Sequence, residues 1–271
     1  MSNKQRREIP RFHTPIIETH CHLDYLDQAE LDATLEKSLG AGVERIITIA
    51  VSKDNLHRVL ELARSSQYVW GTQGIHPHDA TAYSPEVDAI IRMNAADARI
   101  VAIGEIGLDY HYDHADRAVQ RRAFEQQLQT AVDLDLPVVI HTREADDDTR
   151  DILRNYSSAL SRKGVIHSFT SSLELAEFCL GEGFMLGFNG ITTFNRAENV
   201  RQVVAATPLQ QLVLETDAPY LTPVPYRGKV NEPAYVRYVA EEIAAIKKME
   251  IPEIERATSE NFCRLFKTRI D

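Results

Sequence analysis

Short apolar runs recur along the chain, each followed by a stretch with helical spacing. The first, Pro15-Ile16-Ile17, leads into Glu18-Thr19-His20-Cys21-His22. Seven more fall at residues 45–51, 68–75, 99–105, 136–143, 164–169, 184–190 and 211–217. The intervening segments 31–41, 55–63, 85–96, 116–133, 147–160, 173–180 and 197–206 read as helices, with Leu31, Leu35 and Leu39 at a spacing of four and Pro85 at a first helical position. After a proline-rich loop at 219–225, two further helices are expected at 235–247 and 253–265.

Eight apolar strands alternating with helices predict an α/β fold, a single-domain (β/α)8 TIM barrel whose site lies at the C-terminal ends of the strands. A doubly wound sheet has the same alternation. It lacks support, because no G-x-G-x-x-G follows the first strand and no P-loop lysine motif occurs. Residues 1–15 are expected to be a flexible extension and 16–271 the barrel.

Composition narrows the classes. The 271 residues are 44% hydrophobic and 26% charged, and no apolar run approaches the roughly 18 residues of a membrane span. A soluble chain with no membrane partner is expected. Residues 1–11 contain no apolar core of a secretory signal, and three distant cysteines (Cys21, Cys179, Cys263) form neither a disulfide framework nor a thiolate zinc site. The expected location is therefore cytoplasmic. A net charge of −10 argues against broad electrostatic attraction to nucleic acid, although bound cations can carry phosphate binding locally. No obligate protein partner is evident.

The candidate chemistry comes from what ends the strands. His20 and His22 share one face of the first strand, and Glu105, His141, His167 and Asp217 close the fourth, fifth, sixth and eighth. Any one of these histidines alone would read as an ordinary core or surface residue. Together, in a barrel, they converge on one cavity, and six imidazole and carboxylate ligands exceed what a single open catalytic ion needs. The assignment is His20, His22 and Asp217 on one divalent ion, His141 and His167 on the other, and Glu105 bridging. Magnesium, manganese or zinc suits these ligands. Glu18 is expected to orient an imidazole from outside the ligand set.

The segments Glu18-Thr-His-Cys-His-Leu-Asp24, Gly74-Ile-His-Pro-His78, Gly104-Glu-Ile-Gly-Leu-Asp-Tyr110, Ile140-His-Thr-Arg143, Ile166-His-Ser-Phe-Thr170 and Glu215-Thr-Asp-Ala-Pro-Tyr-Leu221 resemble the TatD family of metal-dependent deoxyribonucleases. Arg227-Gly-Lys229 and Asn231-Glu-Pro-Ala234 extend the match, which runs from Ile16 to Phe266. The resemblance implies an amidohydrolase-like barrel, two divalent ions and hydrolysis of phosphodiester bonds, often from a DNA 3′ end. It places the ligands on the same six residues. The chain departs from the family in Glu18, where Asp is usual, in Ser168-Phe169-Thr170-Ser171 after His167, and in the N-terminal extension.

The expected activity is that of a deoxyribonuclease of the 3′-end exonuclease type acting through a metal-activated hydroxide, on DNA that is single-stranded or at its 3′ ends. Asp217 is expected to orient the water and shuttle its proton, with Glu105 as the bridging catalytic carboxylate. His76, Arg143, Arg227 and Lys229 are candidates for phosphate, and Tyr110 for stacking on a base. A metal-dependent hydrolase of a small ester or amide, or of aminoacyl-tRNA, is the alternative, and a non-catalytic metal-binding barrel a further one.

Overall fold

A parallel strand in a closed ring has helices on one face and the barrel interior on the other, so it must be apolar on both, as these runs are. The computed structural model describes residues 8–11 and 14–266, so the expected 1–15 extension lies mostly outside the described residues. Eight strands form one sheet in sequence order: β1 (Ile16–Cys21), β2 (Val43–Thr48), β3 (Val69–Gln73), β4 (Ile100–Asp109), β5 (Val138–Arg143), β6 (Gly164–Ile166), β7 (Met185–Phe188) and β8 (Leu212–Leu214). All pair in parallel with their neighbours. Helices α1 (Leu31–Gly40), α2 (Leu56–Ser65), α3 (Pro85–Ala95), α4 (Arg117–Leu134), α5 (Asp146–Tyr156), α6 (Leu173–Gly181), α7 (Glu198–Ala206), α8 (Val236–Lys247) and α9 (Ile251–Phe266) alternate with them or follow. The fold is the expected (β/α)8 barrel.

The ring closes between β1 and β8 just beyond the regular strands. Asp217 N donates to His20 O (2.9 Å), His22 N to Ala218 O (2.7 Å), and Cys21 and Ala218 form an isolated parallel bridge. Every strand, from Ile17 and Ile47 through Trp70 and Val101 to Val213, contributes to a single interior cluster with Phe262 and Phe266 of α9. This is the layered filling of a barrel. Helix α9 covers the N-terminal end, where Ser259 Oγ donates to Pro15 O (2.7 Å) and Asn261 Nδ2 to Leu212 O (2.8 Å). Only the opposite mouth is left for a site.

Two boundaries matter there. β6 and β8 are short, so His167 and Asp217 lie just past their strands rather than on them. β4, by contrast, does not end at Glu105 but runs on to Asp109, which corrects the expected boundary. Gly107 makes this continuation possible: its φ is +138°, and a Cβ there would sit 1.9 Å from His141 O. With no side chain, β4 stays paired with β5 as far as Asp109 opposite Arg143.

Candidate metal centre

Glu105, 3% exposed, stands at the middle of the mouth. Its Oε1 lies 2.7 Å from His167 Nε2, 3.1 Å from His141 Nδ1 and 3.3 Å from His76 Nε2. Its Oε2 lies 3.3 Å from His20 Nε2. Beyond His20, Asp217 Oδ1 is 3.8 Å from His20 Nε2 and 3.4 Å from His22 Nε2. The His20 and His167 rings stack, 3.8 Å apart and 6° from parallel. All six expected ligands thus come together, and His76 joins them. Three overlapping groups can each hold an ion: His20, His22 and Asp217; His20, Glu105 and His167; His76, Glu105 and His141.

Other buried groups hold the ligands in place. Asp109 Oδ2 is 3.0 Å from both His141 Nε2 and His78 Nε2, which leaves His141 Nδ1 turned toward Glu105. His76 Nδ1 accepts from His78 N (3.1 Å), which aims its Nε2 at Glu105. Glu215, fully buried, accepts from Ser168 N (2.6 Å) and sits 3.7 Å from His167 Nδ1. Gly187 leaves room for it, since a Cβ there would come within 2.3 Å of Glu215 Oε2. Glu18 does something different from the expected orientation of an imidazole. Its Oε1 accepts from His20 N and Thr216 N, both at 2.9 Å, and so ties β1 to the segment after β8.

Ionisation follows the contacts. Burial would push the Glu105 carboxyl up, but His167, His76 and His141 overcome it and hold it well below the ordinary range. Burial would likewise depress His167, yet Glu105 and Glu215 raise it well above its usual value. His76 is pulled down to about 4 by burial, against Glu105. Asp109 and Asp217 are both lowered despite burial, by His141 and His78 and by His22 and His20 respectively. Glu18 is raised well above the ordinary range by its burial, which outweighs the amides of His20 and Thr216.

The donor set fits divalent ions on an observation of its own. Both ring nitrogens of His20 and Nδ1 of His22 are buried without a hydrogen-bond partner among the described residues. Orphaned imidazole nitrogens are costly in a protein interior, and a coordinated ion would take up the His20 Nε2 lone pair. Nitrogen and carboxylate donors together suit first-row divalent ions.

The expected substrate residues separate. His76, His141 and Arg143 line one cavity of about 720 Å³ with Glu105, His22 and Asp217. Tyr110 does not. It lines a neighbouring cavity of about 810 Å³, its ring covered by Arg117 at 4.3 Å and its hydroxyl donated to Asp148. Arg227 and Lys229 are exposed on the loop after β8 and are not on the cavity wall; Arg227 lies 3.8 Å from the Phe194 ring centroid. Sequence reasoning gave no role to Asp109 and Glu215, although both stand inside quoted motifs. Their signal was a carboxylate at an even spacing from a ligand, four residues after Glu105 and two before Asp217. It also passed over Tyr25, Tyr112 and Tyr220, which line the mouth.

A (β/α)8 barrel with clustered imidazoles and carboxylates at its open end defines a metal-dependent hydrolase, and the comparisons agree. The TatD related DNase family model matches residues 17–267. The uncharacterized metal-dependent hydrolase YabD of Bacillus subtilis (strain 168) is 38% identical, covering 93% of this chain and 99% of the relative. The 3'-5' ssDNA/RNA exonuclease TatD of Erwinia tasmaniensis is 34% identical over 87% of this chain and 93% of its own. The crystal structure of the Escherichia coli TatD homolog YJJV superposes with a TM-score of 0.89 at 33% identity, covering 94% and 98% of the two chains. The chain belongs to the TatD family and is an enzyme, so the reading as a non-catalytic barrel falls. No helix among the described residues is long and apolar enough to cross a membrane.

Proposed function

We propose that this enzyme hydrolyses phosphodiester bonds at the 3′ end of single-stranded DNA, with two divalent ions at the mouth of the barrel. The observation that carries the reading is the position of Glu105. One of its oxygens faces His76, His141 and His167, the other His20, with His22 and Asp217 beyond. A carboxylate shared in this way suits a two-ion site. His20, His22 and Asp217 would hold one ion and His141, His167 and His76 the other, with Glu105 between them. His76 thereby moves from the phosphate-binding role to the ligand set. The similarity to the Erwinia tasmaniensis 3'-5' ssDNA/RNA exonuclease supports a nucleic-acid strand as substrate.

Bound there, divalent ions supply Lewis acidity and lower the pKa of coordinated water from about 15.7 toward about 7. The chain does the rest. Arg143, on the cavity wall, offers a bidentate fork to the non-bridging oxygens of a phosphodiester. Asp217 is held ionised by its histidine neighbours and borders the cavity, so its carboxylate can orient a water and accept its proton. Asp109 keeps His141 aimed, and Glu215 places a carboxylate 3.7 Å from His167 Nδ1. The test is release of nucleotides from end-labelled single-stranded DNA under magnesium, manganese or zinc, with His141→Ala as control. Metal-dependent release that His141→Ala abolishes is expected; no release under any of the three ions overturns the reading.

A further inference from the structure

Large apolar side chains at the surface are individually unremarked, but grouped at the mouth of a cavity they mark a binding surface. Among the described residues six are exposed, and three of these, Tyr25 (46%), Tyr112 (52%) and Tyr220 (54%), line the mouth of the histidine cavity. Two tyrosines elsewhere are anchored by their hydroxyls: Tyr83 donates to Asp88 and Tyr110 to Asp148. The three at the mouth are fixed by their rings and backbone instead.

Tyr25 and Tyr220 stand together on one side. Tyr25 ends the short turn after β1, its N–H donating to His22 O (3.1 Å), and its ring stacks on His22 at 5.3 Å and 19°. Tyr220 follows β8, its N–H donating to Asp217 O (2.8 Å), and its ring meets His22 edge-on at 6.2 Å and 66°. Buried Asn231 pins the Tyr220 carbonyl. Both rings are therefore fixed to the segments that carry His22 and Asp217. Tyr112 follows β4, across the ring from β8, and its ring is already engaged by Arg143 at 4.8 Å and His78 at 5.4 Å. The two walls also differ in charge. Asp24 adjoins Tyr25 in the chain and Asp79 lines the cavity, carboxylates that repel phosphate, while Arg143 lies against the Tyr112 ring and attracts it.

We propose that Tyr25 and Tyr220 form a stacking platform for one unpaired nucleobase, beside a phosphate held between the ligand histidines and Arg143. The proposal rests on the nuclease reading and deepens it. A neutral base is tolerated by Asp24 and Asp79 where a phosphate is not. Every base has a π-face, so the platform reads no sequence, but a paired base is covered by its neighbours and its partner strand. The platform would therefore select strands that are unpaired near the site.

The experiment compares wild type with Tyr25→Leu, Tyr220→Leu and the matching Tyr→Phe variants on single-stranded oligonucleotides. Some carry one abasic residue at the first, second or third position from the labelled end. On the normal strand each Leu variant should raise KM by about 5- to 150-fold, as the loss of one stacked base implies, and each Phe variant should retain wild-type KM. At one abasic position the Leu penalty should vanish. An equal penalty on normal and abasic strands at all three positions overturns the platform, because it would reflect a distorted pocket. A strand with phosphorothioate linkages and 2-aminopurine at the contacted position gives a second readout: wild type should quench its fluorescence and the Leu variants should not. Quenching without cleavage of any strand would keep the platform and remove the nuclease reading; cleavage without quenching would do the reverse.

Discussion

The two sides of Glu105 are built differently. On the Oε1 side, His141 and His76 each have their second nitrogen fixed, by Asp109 and by the His78 amide, while His167 Nδ1 has no hydrogen-bond partner among the described residues and faces Glu215 at 3.7 Å. On the Oε2 side, Nδ1 of both His20 and His22 has no hydrogen-bond partner among the described residues. What braces that side is the backbone: Glu18 gathers the His20 and Thr216 amides, and the β1–β8 seam carries His22 to Asp217. Two of the three imidazoles on the first side are thus oriented by hydrogen bonds to their second nitrogens, whereas the other side is held by strand geometry. Disturbing a carboxylate should therefore act locally on the first and through the seam on the second.

Three substitutions probe this contrast. The largest effect is expected from Glu105→Gln, which touches both sides: bound metal per chain should fall, and hydrolysis should drop beyond the ~100-fold that loss of an outer partner costs. Elemental analysis and kcat/KM check it, and full metal content in this variant would detach Glu105 from the site. Next comes Asp109→Asn, which replaces an acceptor for His141 Nε2–H and loosens the Oε1 side alone. Metal affinity or activity should fall roughly 10- to 100-fold with little change in stability. Unchanged affinity, measured by calorimetric titration of the metal, would erase the difference between the two sides.

The smallest effect belongs to Glu18→Gln and is read in stability rather than activity. Burial raises the Glu18 carboxyl above its ordinary 4.5, so in the folded chain it keeps a proton that the unfolded chain releases. Its contribution is whole below about 4.5 and declines as pH rises from there toward the folded value. The amide has no such titration. The difference in urea unfolding free energy between wild type and Glu18→Gln should therefore shift with increasing pH in favour of the variant. A pH-independent difference would mean that Glu18 is not raised.

The barrel was legible because its strands are apolar on both faces and its helices carry stops and caps, as at Ser84, which accepts from Val87 N and precedes Pro85. The convergence of His20, His22, Glu105, His141, His167 and Asp217 was legible because imidazoles and carboxylates closing apolar runs are conspicuous. Tertiary geometry decided the rest. Gly107 resembles a break after Glu105, yet its open space is what lets β4 continue to Asp109. Pro77 marks a turn, which hid the fact that the turn brings His76 against Glu105. Tyr110 and Tyr112 differ by two positions, and only the contacts of Arg117 and Asp148 show that the first is taken up elsewhere.

The seam between β1 and β8 also sets a timetable. A chain emerging from the ribosome has all five imbedded histidines of the site and Glu105 long before strand eight exists. Until then His22 has no Asp217, Glu18 has no Thr216 amide, and β1 remains an open edge. The last joint of the ring is thus also the step that completes the cluster at the mouth. A chain ending before strand eight carries five of the clustered histidines and Glu105 but lacks the Asp217 that lies beside His22.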